Sequence, residues 1–173
     1  MVAGVAVGAL TGVAAYENAR TRNEPWQEIA WPFPRDGWPA GRAFRCGGAA
    51  CRDEVEVYVR PKLGFCNCDR GVADDDEVDR VADLDLISER FVPQAVGDRV
   101  RLAGMEGRSR AYDVGMPDGA RRSAVGIAAS RRCDLLVAVA WGKGATADVR
   151  HAALKFLAGD EMKNWITAAM DGR

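Results

Sequence analysis

The run LLVAVAW, Leu135 to Trp141, is apolar at every position. A strand of this kind has no side to turn to water, so it belongs in the middle of a sheet with both faces covered. Any fold must therefore supply a layer above this strand and another below it. A second stretch, DEVEVYVR, is of the other type: Val55, Val57 and Val59 alternate with Glu54, Glu56, Tyr58 and Arg60. That period of two predicts a strand with one buried and one wet face.

The rest of the chain from Arg42 onward is read around these two strands. RAFRC precedes DEVEVYVR, and CGGAAC between them has the small residues of a hairpin loop, with Cys46 and Cys51 at its ends. DRVRLAGM, RSRAYDV, ARRSAVGIAAS and CDLLVAVAW then read as a meander, with Pro117-Asp118-Gly119 in the residue order of a type I turn. Asp74, three residues before Glu77, predicts an N-cap and capping box. It opens a helix through about Leu84 with Val78, Val81 and Ala82 inward. Asp75 and Asp76 fall in its first turn, where the helix dipole favours acids.

Two helices close the chain. Val149, Ala152, Ala153, Phe156 and Leu157 make one apolar stripe, and Met162, Trp165, Ile166, Ala169 and Met170 make another. Thr146 is expected to cap the first, Gly159 to end it, and Asp160 to cap the second. Strands followed by helices predict an α+β domain over residues 42–173, a mainly antiparallel sheet with helices packed on it. This order of strand, hairpin, central strand and C-terminal helix resembles that of the small PsbP and Mog1-like domains. The resemblance implies a fold and no function.

Residues 1–16, MVAGVAVGALTGVAAY, carry no charge. As a helix they span about 24 Å against a hydrocarbon core of roughly 30 Å. Gly4, Gly8 and Gly12 recur at the spacing that lets membrane helices approach closely, while Val13-Ala14-Ala15 resembles the end of an export signal. Anchor or signal, the segment is expected to meet a membrane. Arg20 and Arg22 follow it and would leave the body of the chain in the cytoplasm by the positive-inside rule. Clustered cysteines point to the oxidising side, and an upstream start adding a basic region would reconcile the two. The expected location is the cell membrane, with the globular domain on the periplasmic or extracytoplasmic side. Residues 17–41 read as a polar tether and a strap in which Trp26, Trp31, Phe33 and Trp38 interleave with Pro32, Pro34 and Pro39. Those prolines forbid a helix, and the strap is expected to wrap the domain.

Cys46, Cys51, Cys66 and Cys68 lie within one short span, and three readings of them are open. As a staple, Cys66 and Cys68 each reach back to one of the hairpin cysteines, leaving Cys133 as a buried free thiol. As a metal site, four thiolates hold zinc, or fewer hold copper, although neither pair has the C-x2-C spacing of a zinc knuckle. As a redox site, Cys66-Asn67-Cys68 exchanges thiols, against which the neighbouring carboxylates argue. The staple is preferred.

Catalytic signatures are wanting. His151 is the only histidine, and no nucleophile elbow accompanies it. DLLVAVAWGKGATAD has the strand, glycine turn and helix order of a phosphate loop. Val137 stands where such a loop needs glycine, and Gly144 where it needs serine or threonine. A net charge of -1 lacks the basic footprint of a nucleic-acid binder, and 20 Arg against 4 Lys reflects base composition. No nucleotide or nucleic acid is expected as ligand. Residues 69–85 hold eight acids and two Arg, whereas 90–132 hold nine Arg and four acids, complementary charges able to pair within the fold or with a neighbour. The expectation is a membrane-tethered, exported, non-catalytic accessory or binding domain braced by disulfides, with an envelope partner or self-association. The alternative is a copper- or zinc-binding thiol protein.

Overall fold

The computed structural model describes residues 25–65 and 68–172. The strands are β1 Trp26–Ile29, β2 Arg42–Cys46, β3 Val55–Lys62, β4 Phe91–Pro93, β5 Asp98–Leu102, β6 Met105–Gly115, β7 Arg121–Arg131 and β8 Asp134–Gly142. The helices are α1 Asp75–Val81, α2 Thr146–Leu157 and α3 Asp160–Met170. All pairings are antiparallel, in the order β1-β2-β3-β8-β7-β6, with β4 and β5 lying one after the other along the outer side of β6. The chain is thus an α+β domain, and the apolar run forms β8 between β3 and β7. Residues 1–16, with Gly4, Gly8 and Gly12, lie outside the described residues. Among the described residues no helix is long and apolar enough to cross a membrane.

One face of the sheet carries the C-terminal helices. Val149, Ala153 and Leu157 of α2 and Met162, Ile166 and Met170 of α3 are buried against Val55, Val57, Val59, Ile127 and Ala138. Each fully buried aliphatic side chain of this kind contributes about 1.5–3 kcal/mol relative to exposure. Ala145 and Gly159, rather than Thr146 and Asp160, stand at the helix caps, without side-chain cap bonds. The Thr146 hydroxyl instead bonds that of Ser123 at 3.1 Å.

The other face is covered in two parts. Val78, Val81 and Ala82 of the α1 segment pack on Ala128, Leu135 and Val137. The approach is close enough that a Cβ on Gly126 would lie 2.9 Å from that of Ala82. Asp74 caps α1, accepting from the Glu77 amide at 3.0 Å. The helix stops at Val81, short of the expected Leu84, because Asp83 turns left-handed at φ 57° and Leu84–Leu86 continue as a 3-10 turn. Beside it, residues 30–41 cross the sheet without regular structure, and Trp31 and Phe33 meet Tyr58 edge-on at 6.0 and 4.7 Å.

This cover overturns the expected wet face of β3. Glu56, Tyr58, Arg60 and Lys62 are all buried, none more than 6% exposed. A polar face can be buried only if its charges find partners. Those partners come from distant segments, which the local alternation does not reveal.

Candidate functional site

The cysteines form two disulfides, Cys46–Cys51 and Cys68–Cys133. The expected bonds from the hairpin cysteines to Cys66 and Cys68 are therefore corrected, and Cys133 is not a free thiol. Cys46 pairs in register with Val55 at one end of β3, whereas Lys62 at the other end pairs with Leu135, two residues past Cys133. The two bridges are thus separated by nearly the length of an eight-residue strand, about 23 Å. Four thiolates drawn from both ends cannot share one ion. Cys66 lies outside the described residues, among which no three His, Cys, Asp or Glu side chains group to hold a metal.

Cys46–Cys51 closes the β2–β3 loop at the base of a groove of about 740 Å³. Its floor is apolar: Trp26 at the start of β1 stacks on Phe156 of α2 with ring centroids 4.4 Å apart. Cys51, Ala152 and Met162 complete it, and the exposed Arg52, His151, Lys155, Asp160 and Glu161 also line the groove. Arg52 is held by Asp148 at 3.3 Å. Next to the groove, Arg42 ties β1, β2 and α3 together: it grips Glu28 through two nitrogens, at 2.8 and 2.6 Å, and lies over Phe44 and Trp165. Its guanidinium lowers the Glu28 carboxyl below the usual range. An apolar floor with a sparse charged rim is the build of a binding cleft. Among the lining residues none carries a free hydroxyl or thiol. At the same end of the sheet, after β8, the glycine-lysine-glycine turn packs against a carboxylate: a Cβ on Gly144 would lie 3.0 Å from Asp53 Oδ2. That is an unfavourable neighbour for phosphate.

The second polar assembly lies beneath the strap. Asp83 accepts from Arg60 Nε at 2.7 Å and Nη2 at 3.0 Å, and from Lys62 Nζ, which also donates to the Val81 carbonyl at 3.1 Å. The outer edge of the Arg60 fork grips Asp36 of the strap, Nη1 to Oδ1 at 2.9 Å and Nη2 to Oδ2 at 2.6 Å. Chiefly through this bond, Arg60 holds the Asp36 carboxyl at about 2, below its ordinary 3.8. Burial works against the charged guanidinium, but the two carboxylates outweigh it and raise Arg60. Trp38 and Phe65, edge to face at 5.2 Å, lie over the Lys62 ammonium. Beside them, Tyr58 donates to Glu56, which also accepts from Arg45 at 2.7 Å. Burial first, and then the Glu56 carboxylate, push the Tyr58 hydroxyl upward.

The acidic run also finds its partners inside the fold. Asp75 accepts from Arg108 at 2.8 Å and from the Gly97 amide at 2.8 Å, and that amide with Arg108 lowers its carboxyl. Asp79 accepts from Arg110 at 2.7 Å and from the Tyr112 hydroxyl at 2.5 Å. The charge asymmetry between 69–85 and 90–132 was visible in the sequence. The roles of Asp36, Arg60 and Asp83 were not, since they meet only when three separate segments converge.

No family model matches the chain, and no curated protein does. Among solved structures it is similar to a protein of unknown function from Pseudomonas aeruginosa, at 14% identity and TM-score 0.44, over 77% of this chain and 93% of that one. It is also similar to cyanobacterial PsbP (CyanoP) from Synechocystis, at 16% identity and TM-score 0.45, over 78% and 79%. Neither likeness carries an argument about activity.

Proposed function

We propose that this is an exported, non-catalytic accessory domain, held at the outer side of the cell membrane by its N-terminal segment and binding an envelope partner through the Trp26–Phe156 groove. The observation that carries the reading is the pair of disulfides at opposite ends of the sheet. Such bonds form and persist in oxidising compartments and are rare where thiols are kept reduced. The groove supports the binding role, with an apolar floor for an anchoring side chain and charges of both signs at its rim to orient it. Its mouth includes Pro25, the first described residue, so a partner in the groove would sit beside the tether. Groove and anchor together would hold a complex at the membrane surface.

The test is to isolate the full chain from native membranes, alkylate it under denaturing conditions with and without reductant, and weigh it intact. The expected result is four cysteines labelled only after reduction, in a chain that external protease digests in spheroplasts. Labelling of all five without reductant, or protection from the protease until the membrane is lysed, overturns export. One metal ion per chain on the same sample would favour the thiolate alternative.

A further inference from the structure

The strap that covers β3 is held unlike the rest of the domain. Residues 30–41 have no regular structure, and among the described residues no backbone-to-backbone hydrogen bond outside the regular elements involves them. Their attachments are side chains: the aromatic contacts of Trp31, Phe33 and Trp38, and the two-pronged grip of Arg60 on Asp36. A segment so attached belongs to the part of a structure that opens locally at low cost.

Beneath it the site is already built. Arg60 Nε and Nη2 and the Lys62 ammonium are fixed by Asp83, a residue held in left-handed backbone at φ 57°. The guanidinium therefore keeps its orientation without Asp36, and only its outer edge, Nη1 and Nη2, is left to fill. With Asp36 withdrawn, Arg60 and Lys62 against Asp83 leave one net positive charge. A planar fork with two parallel N–H groups is matched to a carboxylate, and arginine is suited to such bidentate recognition.

We infer that the outer edge of Arg60 is a carboxylate-binding site, that Asp36 is its displaceable internal ligand, and that an acidic peptide segment with aromatic neighbours takes its place when the strap lifts. The strap supplies the template for that ligand, since in WPFPRDGW an aromatic residue stands on either side of the acid. An incoming carboxylate must compete with a tethered one, so the apparent affinity falls with the fraction of chains whose strap is closed. Weakening the strap therefore tightens binding, the opposite of what loss of a merely structural contact would do.

The experiment is calorimetric titration of the full chain with a synthetic peptide of residues 30–41, the same peptide with Asn in place of Asp36, and succinate. The Asp36→Asn protein is expected to bind the acidic peptide at least tenfold tighter than the natural chain does, and the Asn peptide far more weakly. Arg60→Lys added to Asp36→Asn is expected to abolish the gain. If Asp36→Asn does not fold, Trp38→Ala loosens the strap at its other anchor, and at least threefold tightening is expected. Succinate binding as tightly as the peptide would overturn the peptide part and leave a small-carboxylate site. Failure of every probe to bind a variant that keeps the natural circular dichroism spectrum would overturn the site itself. This result is distinguishable from failure of the export reading, which depends on the cysteines and not on Arg60.

Discussion

Asp36 is the residue whose ionisation most directly reports on the strap. Its carboxyl is held at about 2 by Arg60, against an ordinary 3.8, so its contribution is complete above about pH 4 and is lost as pH falls through about 2. Because the side chain is one-third exposed, solvent screens part of that contribution. Acid titration followed by tryptophan emission is expected to show Trp31 and Trp38 released between pH 4 and 2. In Asp36→Asn that step is expected to be missing, with the emission already shifted at pH 5. An unchanged titration in the variant would show that the aromatic contacts alone hold the strap. Arg60 is different in kind, since it is 2% exposed and its partner Asp83 is buried as well. Removing Asp83 would leave the buried Lys62 ammonium without a carboxylate, and breaking a buried pair in this way typically costs about 3–5 kcal/mol.

Among the elements, α1 shows how a short helix is held in place by more than its apolar stripe. Asp79 reaches both Arg110 and Tyr112 on β6, and Asp75 reaches Arg108 on the same strand. Burial and the Asp79 carboxylate push the Tyr112 hydroxyl upward, so it stays a donor across the accessible pH range. Asp79→Asn is expected to cost about 1–3 kcal/mol and Tyr112→Phe about 1 kcal/mol in urea unfolding. The double variant is expected to cost less than the sum of the two, because Tyr112→Phe removes the bond that Asp79→Asn weakens. Strict additivity would mean that the two side chains do not interact in solution. The apolar half of this element was legible in the sequence, with Val78, Val81 and Ala82 inward. Its end was not: nothing local announced that Asp83 would turn left-handed to serve Arg60 and Lys62.

For the molecule as a whole, the two disulfides constrain the unfolded chain to very different extents. Cys46–Cys51 closes a separation of 5 residues, and Cys68–Cys133 one of 65. By loop-closure entropy the first contributes about 2 kcal/mol and the second about 4 kcal/mol. Replacing Cys68 and Cys133 together by serine is thus expected to lower the unfolding free energy about twice as much as replacing Cys46 and Cys51. Equal losses in urea titrations would indicate that native-state contacts, and not chain entropy, set the effect. The longer bridge ties the loop after β3 to the β7–β8 turn, so its loss is also expected to loosen the strap's neighbour Phe65.

The sequence by itself determined the strands β2, β3 and β5 to β8, their order and the identity of the central strand, because side-chain periodicity and turn chemistry act between residues a few positions apart. The short edge strands β1 and β4, the first inside the stretch read as tether and strap, carry no such period. It could not determine which cysteines bond, or that the polar side of β3 is buried. Those outcomes depend on sheet register, which sets the β7–β8 turn with Cys133 beside the end of β3, and on the packing of the strap and the α1 segment, which sets Asp36 and Asp83 against Arg60. Only the tertiary structure sets such distances. The alternation in DEVEVYVR is equally compatible with water or with buried counter-charges, and the segments packed around it decided between them: Asp36 of the strap, Asp83 after α1 and Arg45 of β2 supply the charges.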